Sequence, residues 1–182
     1  MSRHLAALAL GFAALNAMLA LPVLATRAVP GRVLVASLVL ITLLALLAAF
    51  DCDQFRLPDT LTLPLGLAGL AATAWIGASS ILQHALAAGI AGGGLWLVGA
   101  VYHRLRGRSG LGLGDVKLFA ALATWIGPEG LATALLLACL AALTAILVAH
   151  AQGRRLDATT PVPFGIFLAL GGWTTWVYGP LV

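Results

Sequence analysis

Charge is scarce in this chain. Of 182 residues, 10 are Lys or Arg and 6 are Asp or Glu, so charged residues make up only 9%. A water-soluble domain carries roughly a quarter, so this chain has too few to cover a surface facing water. Cysteine is nearly as rare. Cys52 and Cys139 form no CxxC pair, which excludes a disulfide framework and a zinc ribbon. The four histidines, His4, His84, His103 and His150, show no ligand spacing, so no metal or cofactor is expected. A net charge of +4 spread over such a chain gives no nucleic-acid surface. Long alternations of polar and apolar residues, the mark of half-buried strands, are also missing. What the chain does have is 62% hydrophobic residues and a mean hydropathy of +1.05. Bilayer is the solvent such a composition fits.

The apolar residues fall into runs at about 5–25, 32–50, 60–78, 81–102, 113–127, 130–150 and 163–181. A spanning helix needs roughly 20 residues, and six of the runs approach that length. The fifth is short, bounded by Gly110, Gly112 and Gly114 before it and by Gly127-Pro128 after it. A backbone in lipid must satisfy its own hydrogen bonds, which favours helices. The expectation is an all-α polytopic membrane bundle of about seven transmembrane helices, one membrane-embedded domain over residues 1–182. Residues 1–30 admit two readings, an N-terminal helix or a signal peptide. Arg3, the apolar stretch and Val23-Leu24-Ala25 also fit a secretory signal peptide, but the apolar stretch exceeds a signal core, which favours a retained helix.

The few charges set an orientation. With the N-terminus inside, Arg3, Arg56, Arg104, Arg106, Arg108, Lys117, Arg154 and Arg155 lie on the cytoplasmic side, and only Arg27 and Arg32 lie outside. The same arrangement puts Asp51, Asp53, Asp59, Asp115 and Asp157 inside, and only Glu129 outside. Chemistry is therefore expected at the cytoplasmic face.

Two acidic segments stand out. The first runs from Phe50-Asp51-Cys52-Asp53 to Leu57-Pro58-Asp59-Thr60. Asp51 ends the second apolar run, where a carboxylate meets the negative end of the helix dipole. Asp53, two residues on, points to a different face of any helix and reads as a solvated carboxylate. Pro58 stops the helix, and Asp59 or Thr60 is placed to cap the next one. The second segment is Gly110-Leu111-Gly112-Leu113-Gly114-Asp115-Val116-Lys117. Glycine permits positive φ and close backbone approach. Three at alternate positions are expected to turn the chain and deliver Asp115 at the start of a short helix. An ionisable residue at that depth is a functional candidate, and the plain alternative is a helix N-cap. Lys117 lies off the face of Asp115 and reads as snorkelling to headgroups or contacting substrate. If Asp51 and Asp115 approach closely they cannot both ionise and must share a proton. One then serves as general base toward water, the other as proton donor to a carbonyl.

These residues resemble the prepilin peptidase family, also called type IV leader peptidases. Asp51, a six-residue spacer and Pro58-Asp59 are similar to its first motif, which continues into Leu61-Thr62-Leu63-Pro64. Gly112-Leu113-Gly114-Asp115-Val116-Lys117 is similar to its Gly-x-Gly-Asp-x-Lys motif. Pro163-Phe164-Gly165 resembles the segment that opens its last helix. The resemblance spans roughly residues 40–180. It implies an aspartic endopeptidase with Asp51 and Asp115 catalytic, and Gly112, Gly114, Lys117, Asp53, Pro58 and Asp59 supporting the site. It implies further that prepilin or pseudopilin substrates lose a basic leader at the cytoplasmic face of a bacterial inner membrane, for type IV pilus or type II secretion assembly. Bifunctional members also methylate the new N-terminus and carry paired CxxC motifs. None occurs here, so methyltransferase activity is not expected.

Other features have plainer readings. Gly89, Gly92, Gly93 and Gly94 suggest tight packing inside the bundle. Trp75, Trp96, Trp125, Trp173 and Trp176 suggest an interfacial belt. The histidines read as solvated helix ends, and Asn16 as a bond to another helix. Two rival functions remain: a proton-coupled membrane transporter, and a non-catalytic pilus assembly protein. Nothing in the sequence sets an oligomeric state.

Overall fold

The computed structural model describes residues 11–12, 14–18, 20, 29–54, 57–77, 80–107, 110–153 and 163–181. Asp157, Arg56, Arg108, Arg154, Arg155 and the cleavage pattern at 23–25 lie outside these. Among the described residues the chain is all helical, without a strand. The helices are α1 (helical at residues 11–12, 14–18 and 20), α2 (Gly31–Gln54), α3 (Asp59–Ile76), α4 (Ile81–Arg106), α5 (Leu113–Ala151) and α6 (Phe164–Tyr178). By length and composition α2, α3, α4 and α5 can each cross a membrane, and α6 is a shorter apolar helix of 15 residues. The expected fifth and sixth runs form two helical limbs of α5 that meet at a kink at Gly127.

The join in α5 has a local cause. Gly127 adopts φ 66° and ψ −176°, a conformation open essentially to glycine alone. Pro128 then cannot supply the N–H that the Thr124 carbonyl receives in an unbroken helix. His84 replaces it: its Nδ1 lies 2.9 Å from Thr124 O. Thr73 Oγ1 is 3.2 Å from the same oxygen but also 3.0 Å from Gly69 O, and a hydroxyl has one proton to give. The imidazole is thus the steadier donor and carries its proton on Nδ1. His84 is buried, not the solvated helix end its position in the sequence suggests. His84→Ala is expected to destabilise the protein by about 1–3 kcal/mol, the cost of an under-satisfied buried carbonyl. Thermal unfolding in detergent checks this, and His84→Gln, which keeps a donor, should recover part of the loss.

The two limbs of α5 run in opposite senses along α6. Going up α6, Gly165 lies against Leu57, which also touches Gly114, and Gly172 lies against Leu122. The second limb descends, with Gly130 at Thr175 and then Ala134 and Ala138 at Gly171. The limbs are held by close backbone approach at glycine, the usual means of helix association where burial in lipid supplies no drive. Helix α3 packs likewise, with Gly66 against Ala121 and Gly69 against Thr124 and Trp125.

Indole N–H groups complete these seams. Trp125 Nε1 donates to Leu65 O at 2.9 Å, Trp173 Nε1 to Asn16 O at 2.9 Å and Trp176 Nε1 to Ser37 Oγ at 2.9 Å. Trp125 and Trp176 meet edge to face at 5.6 Å. Only Trp75 and Trp96 are exposed in the manner of a belt. Asn16 does join α6, but through its backbone carbonyl, since its side-chain amide donates back to Phe12 O. The glycines of α4 also differ from expectation. Gly92 meets Ala120, whereas nothing among the described residues packs within 4 Å of a β-carbon at Gly89, Gly93 or Gly94.

These directions gather one set of helix ends. The C-termini of α2 and α4 and the N-termini of α3, α5 and α6 share one end of the bundle. Arg104, Arg106 and Lys117 lie there, while Arg32, whose guanidinium donates to Trp75 O, lies at the other.

Candidate active site

Helix α2 continues to Gln54, so Asp51 occupies its last turn rather than the residue after it. Its side chain turns inward and is 5% exposed. There it meets the first turn of α6. The Ile166 backbone N–H donates to Asp51 Oδ2 at 3.2 Å, and Gly165 lies against the same carboxylate. Amides in the first turn of a helix have no intrahelical acceptor and present the positive end of its dipole. They offset the negative end of α2, where Asp51 sits. Neither partner was legible in the sequence, although Pro163 before an apolar run and Gly165 within its first turn mark the place.

Asp115 arrives from the opposite direction in the chain. Helix α5 starts at Leu113 with Gly112 as N-cap, so Asp115 is the third helical residue and not the cap. Its carboxylate turns back toward Gly112, the direction taken by the acidic member of a capping box. It is half-buried. The three glycines of this segment act by close approach alone, since none of them has positive φ. A β-carbon at Gly110 would lie 2.5 Å from the Tyr102 ring, at Gly112 3.3 Å from Asp115 Oδ2, and at Gly114 3.0 Å from Leu57 Cβ.

Asp51 and Asp115 stand on adjoining helix ends, linked through the contacts of Gly165 with Asp51 and Leu57 and of Leu57 with Gly114. Between the elements that carry them lies Leu57, a buried residue that sequence reasoning passed over. Its side chain rests against Gly114, next to Asp115, and its Cδ1 would lie 3.1 Å from a β-carbon at Gly165. Pro58 caps α3, and its carbonyl accepts the N–H groups of Leu61 and Thr62 at 3.0 and 3.1 Å.

Asp59 makes no capping bond. It pairs instead with Lys117, whose Nζ donates to both carboxylate oxygens at 2.7 and 2.9 Å. The pair ties the end of the first motif to the end of the second. With side chains 50% and 57% exposed, it contributes at most about 1 kcal/mol to stability, and its effect is to fix the spacing of α3 and α5. Lys117 is therefore engaged with protein, not merely extended to headgroups. Asp53 is not brought in. Two residues past Asp51 on the same helix, it is exposed on another face. Cys52, half-buried, is a free thiol.

The arrangement thus brings two carboxylates from separate helices to adjoining helix ends at one end of an apolar bundle. Such a pair can hold one proton between its members, and so supply a base and an acid together.

Comparison with known proteins agrees with the motifs. The model of the type IV leader peptidase family matches residues 38–147. A protein of Burkholderia pseudomallei strain 1026b named prepilin leader peptidase/N-methyltransferase is 41% identical over 151 residues, 82% of this chain and 48% of its own length. Proteins of the same name from Xanthomonas campestris pv. campestris and Aeromonas hydrophila are each 36% identical, over 147 and 170 residues. These alignments cover 79% and 91% of this chain, and 50% and 56% of those relatives. The chain spans about half the length of the curated relatives it matches. No solved structure matches it. With its three motifs gathered at one end of a membrane-type helix bundle and a family match over more than half its length, the chain belongs to the type IV leader peptidase family.

Proposed function

We propose that this chain is a membrane aspartic endopeptidase that removes the leader from prepilin-like proteins at the cytoplasmic face of a bacterial inner membrane. The observation that carries the reading is that Asp51, in the last turn of α2, and Asp115, in the first turn of α5, lie on helix ends that share one side of the bundle. The ionised member of the dyad takes a proton from water, and the resulting hydroxide adds to the scissile carbonyl carbon. The protonated member gives its proton to the carbonyl oxygen, forming a gem-diol. Collapse of that intermediate breaks the C–N bond as a proton passes to the leaving nitrogen. No metal and no covalent intermediate is needed. The names of the relatives support prepilins as the substrates. Methylation of the new N-terminus is not proposed for these 182 residues, which hold no CxxC pair. A proton-coupled carrier fits less well, because its acids belong near the bilayer midplane, whereas Asp51 and Asp115 sit at helix ends.

Co-expression with a candidate prepilin tests the reading. The prepilin should gain mobility on a gel, and an unchanged mobility opposes the proposal. The side of the membrane is tested separately. Gln54 is exposed at the end of α2 that carries Asp51. In a chain with Cys52 and Cys139 replaced by Ala, Gln54→Cys should resist a membrane-impermeant thiol reagent added to intact cells and react after permeabilisation. Labelling of intact cells would place the dyad outside.

A further inference from the structure

Pro163-Phe164-Gly165 is the one motif to which the reaction above gives no task. We propose that the first turn of α6 is a seat that positions the Asp51 carboxylate for catalysis, with Gly165 and the Ile166 N–H as its working parts. The proposal rests on the reading of Asp51 and Asp115 as the catalytic pair.

The geometry is specific to this turn. A β-carbon at Gly165 would stand 2.7 Å from Asp51 Oδ2, 3.0 Å from its Cγ and 3.1 Å from Leu57 Cδ1. The three nearest atoms all belong to side chains, and the nearest is the free end of Asp51. Compare Gly171 in the same helix, where the Ala134 carbonyl and the Ala138 amide nitrogen stand in the way and only a shift of backbone makes room. At Gly165 a methyl group is accommodated by movement of the Asp51 side chain, without the shift of backbone that Gly171 demands. The absence of a side chain there serves the place of the Asp51 carboxylate rather than the packing of two helices. The Ile166 N–H, donating to Oδ2 at 3.2 Å, gives that carboxylate a fixed direction. Burial at 5% exposure leaves it few other partners. A shift of about 1 Å in a reacting group lowers a rate by ~100-fold. Gly165 and Ile166 are thus positioning residues that act through Asp51.

The test is a set of purified variants assayed on prepilin, with melting in detergent measured alongside. Gly165→Ala should melt close to wild type and keep its KM while kcat falls ~100-fold. Ile166→Pro removes the amide donor in the first turn of α6, where the N–H has no intrahelical acceptor to lose. Its kcat should fall about ten-fold below that of Ile166→Ala, which loses the same side chain and keeps the N–H. Gly165→Ala combined with Leu57→Ala frees the methyl from Leu57 but not from Asp51, so kcat should stay well below that of Leu57→Ala alone. The proposal is overturned if Gly165→Ala turns over normally, if Ile166→Pro matches Ile166→Ala, or if the double variant recovers to the Leu57→Ala level. Asp51→Asn separates this from failure of the dyad. Where Asp51→Asn is inactive and the seat variants are not, only the seat is wrong. Where Asp51→Asn cleaves normally, the dyad itself is wrong.

Discussion

Asp51→Asn and Asp115→Asn are each expected to lower prepilin cleavage by at least ~1,000-fold, within the range that general acid–base groups contribute. Asparagine keeps the shape of the side chain and its place in the bundle. It removes the proton that the pair shares and the base that activates water. Either loss ends the same chemical step, so the effects should not multiply, and Asp51→Asn/Asp115→Asn should be little slower than either single variant. Asp53→Asn should act normally or nearly so, because Asp53 is exposed on another face of α2. Asp59→Asn should fall between. It loses the ion pair with Lys117 at 2.7 Å and with it one tie between α3 and α5, but no reacting group. The fraction of prepilin processed in a fixed time distinguishes these outcomes, after equal insertion and accumulation have been shown for each variant.

The largest stability effect should come from a single methyl group. At Gly171 a β-carbon meets the backbone of the second limb of α5 at Ala134 and Ala138. Backbone cannot rotate aside as a side chain does, so Gly171→Ala must push α6 away from α5. Overpacking of this kind costs about 1–3 kcal/mol, and the upper end is expected where both neighbours are main chain. Gly89→Ala is the opposite case. Nothing lies within 4 Å of its β-carbon, and its place in mid-helix makes alanine the better helix former by roughly 0.5–1 kcal/mol. Gly171→Ala should therefore melt well below wild type in detergent and Gly89→Ala at or above it. The reverse order would mean that the α5–α6 seam is misplaced.

The parts of this fold that could be read from the sequence are those that depend on chain-local physics. Long apolar runs must be helices in lipid. Gly127-Pro128 must break one of them. Pro58 and the glycines before Asp115 had to mark helix starts, and both aspartates had to fall at helix ends. The parts that could not be read depend on which face of an apolar helix meets protein and which meets lipid. Helix α4 is apolar on every side, so its sequence does not reveal that Gly89 and Gly93 face away from the described bundle while Gly92 packs on Ala120. The same ambiguity hid Trp125 and Trp173. An indole at a membrane interface and one bonded to a carbonyl in the core look alike in a sequence. His84 was obscured because its acceptor exists only where Pro128, on another helix, leaves the Thr124 carbonyl open. For the candidate site, the place of Asp51 and Asp115 at helix ends was legible through their motifs. Ile166 lies 115 residues from Asp51, and Leu57 is an ordinary apolar residue by composition, so neither gave a local sign.

The most direct test of the account is mass spectrometry of a prepilin incubated with membranes in which this chain is the sole leader peptidase. A single cut directly before the apolar N-terminal helix of the prepilin is expected, present with the wild-type chain and with Asp53→Asn and absent with Asp51→Asn or Asp115→Asn. An intact prepilin in the presence of the wild-type chain, or the same cut made by Asp115→Asn, would contradict it.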